Sequence, residues 1–162
     1  MADQKPTIER IDDRTFRLWG VLDEFYPYDE LFQNLPDEVW LDMSKVERIN
    51  SCGVREWVRR VIHTRSSIYY VNCPPVVVDQ MSMVPQFLGP YSHVESFSGI
   101  FYCDECSDEK EVVFQVGKDI VPGQEVYDEP DEIECSNCGN NMTFAHNSHI
   151  FFAFLTNLRK TG

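Results

Sequence analysis

The chain has no long apolar run. Its longest uninterrupted stretches of hydrophobic side chains are about five to six residues, against the roughly 20 that a membrane-spanning helix needs, which excludes a helical membrane protein. Basic residues are scarce where a nucleic-acid binder would need them: residues 98–150 hold 12 acidic and 2 basic side chains. Phosphate neutralisation draws on Lys and Arg, so no nucleic-acid partner is expected. The opening Met1-Ala-Asp-Gln-Lys-Pro6 lacks the apolar core of a secretory leader, and the expectation is a cytoplasmic protein with reduced thiols. There is no glycine-rich phosphate loop and no histidine paired with a carboxylate at helical spacing, so no enzyme constellation emerges. Internal repeats and low-complexity linkers are missing too, which predicts modules packed together rather than tethered.

What is present begins with cysteine. Four of the six cysteines form two Cys-x-x-Cys pairs, Cys103/Cys106 and Cys135/Cys138, with 28 residues between the pairs. Each pair can offer two thiolates from one tight turn, and two such turns complete the tetrahedral sulfur shell of a structural zinc site. The interval is longer than usual, but it carries strand and turn signals of its own, so a hairpin can fold inside it. Two disulfides would require an oxidising compartment. Tetrahedral sulfur also suits iron, as in rubredoxin-like electron-transfer proteins. His146 and His149 follow the second pair, but four well-spaced cysteines leave them no ligand place. Cys52 and Cys73 read as small core residues.

The 162 residues allow one ordinary domain with a small attachment, or two small domains. The formal charge of −13 is uneven: residues 1–97 hold 15 acidic and 10 basic side chains, so the cysteine region is the acidic one. Residues 7–11 and 15–22 read as a hairpin turning at Asp12-Asp13, the second strand with period-two alternation. Residues 28–35 read as a short helix stopped by Pro36. Residues 39–43 form a compact apolar strand of the kind buried on both faces. Val54, Trp57, Val58, Val61 and Ile62 follow helical spacing, with Arg55, Arg59, Arg60 and Arg65 on the other face against the single Glu56. Residues 68–71 return as a strand. Pro74-Pro75 opens a third helix with Val77, Met81 and Val84 on one side, ended by Pro85 and Gly89-Pro90. Strand and helix in alternation build a parallel sheet covered by helices.

Residues 94–102 read as one strand leading into the first cysteine pair, and residues 111–116 as another, with turns at Gly117 and Pro122-Gly123. Residues 125–134, with six acids, read as a solvated loop. The aromatic segment 149–155 is expected to cap the cysteine module or to pack back on the first domain.

Leu41-Asp42-Met43-Ser44, followed closely by Ile49-Asn50-Ser51-Cys52-Gly53-Val54 at a helix start, resembles the STAS family, the fold of bacterial anti-sigma-factor antagonists. The likeness spans about residues 7–98 and includes the Pro74-Pro75 helix. It implies a STAS-like mixed sheet covered by helices over residues 1–97, followed by a small zinc-ribbon β module over 98–162. In family antagonists the serine of an Asp-Ser-x-Gly motif is phosphorylated by a kinase that is also the anti-sigma factor, and by position that serine is Ser51. The family's acidic residue before it is Asn50 here. The expected partner is a kinase or anti-sigma-type regulator, met around Asn50, Ser51, Arg55, Arg59 and Arg60. Independently of the family, Asn and Ser are favoured helix N-caps, and a phosphate at a helix N-terminus meets free N–H donors.

Overall fold

The computed structural model describes residues 7–158; the polar opening 1–6 and the basic pair Arg159 and Lys160 lie outside the described residues. The hairpin forms as the alternation predicts. Strands β1 (Ile8–Arg10) and β2 (Thr15–Leu22) pair antiparallel, and Asp12 accepts the Arg14 N–H at 2.8 Å to close the turn. Phe16, Leu18 and Leu22 alternate inward and are buried. A short helix α1 (Tyr28–Phe32) follows, then β3 (Glu38–Ile49), α2 (Ser51–Val61), β4 (Ser67–Val71), α3 (Pro75–Met83), a 3-10 turn at Pro85–Leu88, and β5 (Ser92–Val94).

The strands assemble in chain order, β1-β2-β3-β4-β5, with β2 to β5 parallel and β1 antiparallel. Because each parallel step moves the same way along the sheet and crossovers are right-handed, the helices collect on one face. Trp57 of α2 centres that layer. It lies edge-on to Phe32 and stacks on Phe87, and its indole N–H donates to the Phe87 carbonyl at 2.9 Å. Val77, Val78 and Met81 of α3 are fully buried beside it. On the other face Trp40, Tyr69 and His93 stack across three neighbouring strands, with ring centroids 4.5 and 4.6 Å apart. Asp42, nearly buried on that face, receives the Arg17 guanidinium at 3.0 Å. Burial pushes its carboxyl up, but hydrogen bonds from Ser44 and the Arg17 charge outweigh that and hold it below the ordinary range.

Three details differ from the sequence reading. β3 runs on to Ile49 instead of ending at Met43, because Val46 is buried and the segment keeps pairing with β2 past two register shifts. Gly20, at φ +92°, sits at the second shift. The helix stops at Val61, so Ile62 leaves the apolar stripe and is exposed. The strand expected over 94–102 is broken at Glu95, where the chain passes from the first sheet into a second one, just ahead of the division placed at 97/98.

The second sheet has the order β7-β6-β9-β8 and is antiparallel throughout, built from β6 (Ser96–Tyr102), β7 (Glu109–Gln115), β8 (Ile133–Glu134) and β9 (Asn141–Phe144). The C-terminal aromatic segment folds as two short helices, α4 (Ser148–Phe151) and α5 (Ala153–Leu158). It packs in both expected directions. Phe151, Phe152 and Phe154 surround Phe97 of β6, while the Ser82 hydroxyl of α3 donates to the Phe151 carbonyl at 2.8 Å and accepts the Phe154 N–H at 3.2 Å. Among the described residues no helix is long and apolar enough to cross a membrane.

One close approach sets the position of α2. A Cβ placed on Gly53 would lie 1.8 Å from the Leu22 carbonyl oxygen, so only glycine lets the helix start against the end of β2. Gly53→Ala is expected to destabilise the protein by about 3 kcal/mol, the upper range for forcing extra volume into a packed core. Urea unfolding of the purified variant checks this, and an unchanged midpoint would contradict the contact.

Candidate functional site

The two Cys-x-x-Cys turns are built alike. In the first, the Cys103 N–H donates to the Asp108 carbonyl at 2.9 Å and the Ser107 N–H returns to the Cys103 carbonyl at 2.8 Å. In the second, the Cys135 N–H donates to the Asn140 carbonyl at 2.7 Å and the Gly139 N–H to the Cys135 carbonyl at 2.8 Å. The residue after each pair has a left-handed backbone: Ser107 at φ +64°, Gly139 at φ +79°. Glycine takes that conformation freely, and serine takes it at a cost of roughly 1–2 kcal/mol. The sequence shows these equivalent positions directly after each pair, and that equivalence was the signal available for matching the turns.

β6 delivers the first turn and β8 the second, and β9 lies between them in the sheet. All four sulfurs fall within 4.8 Å of one another. Cys103 Sγ lies 3.5 Å from Cys138 Sγ, and Cys106 Sγ 3.6 Å from Cys135 Sγ. These are not disulfides, whose sulfurs sit about 2.05 Å apart, and all six cysteines are free thiols. Four sulfurs about 2.3 Å from a central zinc would be about 3.8 Å apart at the corners of a tetrahedron. The two short separations fall a few tenths of an ångström inside that edge, and the remaining ones stay within 4.8 Å. The donor set therefore fits a tetrathiolate metal ion, and soft sulfur at tetrahedral corners suits zinc and iron alike.

The electrostatics act in opposite directions on Cys138 and Cys103. Hydrogen bonds from the backbone N–H of Asn140, then from its side-chain amide at 3.3 Å from the sulfur, lower the Cys138 thiol to about 7. For Cys103 the Cys106 N–H pulls down, but burial and the neighbouring Cys138 sulfur push up, with a net rise to about 12. Metal ligation requires deprotonated sulfur, so a cation bound at the centre would displace thiol protons. The first cysteine of each pair is buried, Cys106 is half-buried and Cys138 is exposed.

The histidines stand apart from this cluster. His146 accepts the Ile100 N–H on Nε2 at 2.9 Å and stacks on Phe151 at 4.1 Å, while His149 is exposed on α4. Cys73 is fully buried at the end of β4 and burial drives its thiol up. Cys52 is half-buried in the first turn of α2.

The second group of sequence-derived residues lies on α2. Asn50 is the N-cap, with extended backbone and its side-chain oxygen accepting the Gly53 N–H at 2.8 Å. The N-cap role that residue type suggests for Ser51 is corrected: Asn50 caps the helix and Ser51 already lies inside it. Ser51 is the first helical residue and is exposed. Phe25, 84% exposed, projects from the neighbouring loop after β2. Arg55 and Arg59 are 66% and 69% exposed. Arg60 is different: it is 25% exposed, bound to Asp29 of α1 at 2.8 Å and to Glu56 at 2.9 Å. The expectation of several cations facing one acid is corrected accordingly, since Asp29 neutralises Arg60 from an adjacent helix that sequence spacing does not reveal. Arg65 lies beyond the helix and is exposed.

No protein-family model matches the chain, and neither a curated protein nor a solved structure matches it.

Two outcomes test the centre. Cys103→Ser should lose bound metal and render the stretch from β6 to β9 protease-sensitive while the first sheet stays folded, read by elemental analysis and limited proteolysis; equal metal content in the variant would remove Cys103 from the shell. Ser107→Gly should stabilise the protein by about 1 kcal/mol, through relief of the left-handed strain, read as a higher urea midpoint.

Proposed function

We propose that the chain is a non-enzymatic cytoplasmic signalling protein of the anti-sigma-factor-antagonist type, a STAS-like domain over residues 1–97 joined to a zinc-ribbon module over residues 98–162. Its business is to bind a partner protein, a kinase or anti-sigma-type regulator, through the start of α2. It engages neither nucleic acid nor membrane. Zinc is the ion at Cys103, Cys106, Cys135 and Cys138, and it is structural: all four sulfurs point at one centre and leave no open coordination place for chemistry.

The observation that carries the reading is the exposure of Ser51 in a fixed setting. Gly53 packs on the Leu22 carbonyl and Asn50 caps the helix, so the Ser51 hydroxyl is held at a rigid helix start and is free of the capping duty. A phosphate added there meets backbone N–H donors and the positive end of the helix dipole, yet presents about two negative charges to whatever docks. Arg55, one turn further along α2, and Arg59, in its last turn, are exposed cations that share Glu56, and Phe25 is an exposed apolar side chain on the loop after β2. A sheet of four parallel strands and one antiparallel strand, with helices gathered on one face, is also the arrangement the resemblance calls for.

A second reading, an assembly scaffold without a phosphorylation switch, draws on Asn50. Its side chain is occupied by the cap and supplies no carboxylate to the serine.

The distinction is measurable. Intact-mass analysis of protein from its own cells should show one phosphate that disappears in Ser51→Ala. Ser51→Asp should weaken partner binding, while Ser51→Ala leaves it intact and shifts stability by under about 0.5 kcal/mol. Asn50→Ala, by contrast, should cost about 1 kcal/mol through the lost cap. An unmodified Ser51 under all growth conditions, with Ser51→Asp binding normally, would leave the scaffold.

A further inference from the structure

The acids of the second half of the chain are uncompensated. All eight ion pairs among the described residues join groups between Glu9 and Arg60. None reaches the 12 acidic side chains of residues 98–150, which have only Lys110 and Lys118 for company in sequence. A tetrathiolate holding a divalent ion would add two further negative charges. Screening in salt weakens such a field over about 8–10 Å but leaves it intact at contact.

The acids also border an apolar groove. Between β7 and the segment that leads into β8 lies a depression of about 490 Å³, its floor formed by Phe101, Phe114 and Ile133 and its rim by Asp119, Glu129 and Asp131. Val113, 48% exposed, lies at its edge on β7. β7 is the outermost strand of its sheet, paired only with β6. An outer strand offers main-chain donors and acceptors to an added segment, and here Glu109 and Glu111 on that strand would repel an acidic one.

We propose that this groove binds a basic, extended segment of another protein, laid along β7. In an extended chain alternate side chains point to opposite faces. A segment alternating apolar residues with Lys or Arg would seat its apolar side chains on Phe114 and Ile133, while its cations, on the opposite side of the backbone, fold back over the rim to Glu129 and Asp131. The long aliphatic stems of Lys and Arg add apolar cover on the way to the rim. This surface is separate from Ser51 and α2 and stands whether or not the reading of that helix holds.

Fluorescence anisotropy with three labelled octapeptides tests the proposal on the full-length, metal-loaded protein: (Lys-Val)4, (Lys-Ser)4 and (Glu-Val)4. The (Lys-Val)4 peptide should bind at least about tenfold more tightly than either of the others, as a charge-plus-apolar match requires. Glu129→Gln combined with Asp131→Gln should weaken it by at least about tenfold, and Val113→Ser should weaken it with a smaller loss of salt dependence. Metal content and near-ultraviolet circular dichroism of each variant confirm that the fold is kept. Equal affinity for (Lys-Ser)4 would reduce the effect to bulk charge and overturn the groove; so would tighter binding of (Glu-Val)4, indifference to the double variant, or no binding of (Lys-Val)4.

Discussion

One strand, β6, carries the chain from the first sheet into the second, and the C-terminal helices add a second tie through Ser82 of α3. β6 begins against the first sheet, where the Cys73 N–H donates to the Ser96 carbonyl and the Ser98 N–H to the Cys73 carbonyl at 3.1 and 2.8 Å. It ends one residue before Cys103. Along its length it pairs with β7 on one side and β9 on the other, and Phe97 and Phe101 are buried from it. The sulfur cluster is therefore fixed to the first core through seven residues of backbone. Phe97 secures the inner end of that strand by stacking on Phe114 and meeting three phenylalanines of the C-terminal helices. Aromatic pairs of this kind contribute beyond their buried area, about 0.5–1.5 kcal/mol each.

The outer end of β6 has less to hold it. β8 has two residues and β9 four, too little strand for a stable sheet by itself. The segment between Gln115 and Ile133 is mostly irregular. A metal ion at the four sulfurs would close this end, since it would tie the turn after β6 to the turn after β8 across the intervening β9. Binding energy at such a centre is folding energy, on the order of 10 kcal/mol or more in small modules. The inner end of β6 is held by aromatic packing, and the outer end would be held by sulfur ligation once a metal occupies the four cysteines.

The parts legible in the sequence are those whose signal is local. Period-two alternation marks β2, the stripe through Trp57 marks α2, and the two cysteine pairs mark the cluster, because each depends on residues within a few positions of one another. What escaped depends on partners distant in the chain. Lys45, Glu47 and Arg48 look like a loop, yet they sit on β3 because β2 continues to pair with them and Val46 faces the core. Arg60 looks free, yet Asp29 reaches it from α1 across 31 positions. The break at Glu95 is invisible in a run of strand-forming residues because it marks a change of partner strands: the Glu95 N–H donates to the Tyr70 carbonyl of the first sheet, while its carbonyl accepts from the Val116 N–H that follows β7. Asn50 and Ser51 are equally good caps on paper, and the Gly53 contact with Leu22 is what places the helix start so that Asn50 caps it.

Charge separates the two halves in a way that bears on partners. In the first half the ions are paired internally: Arg17 with Glu9 and Asp42, and Arg60 with Asp29 and Glu56. That leaves Arg55 and Arg59 as exposed cations sharing Glu56. In the second half acids face solvent without internal cations. Exposed pairs contribute little to stability, typically under about 1 kcal/mol, so the solvent-facing charges, unlike the half-buried Arg17–Asp42 pair, are not explained by folding. An unpaired field of one sign acts instead on what approaches: it speeds the encounter with opposite charge and rejects the same sign. The exposed arginines along α2 and the unpaired acids around β7 thus give the two proposed docking surfaces opposite charge characters, and β6 runs between the halves that carry them.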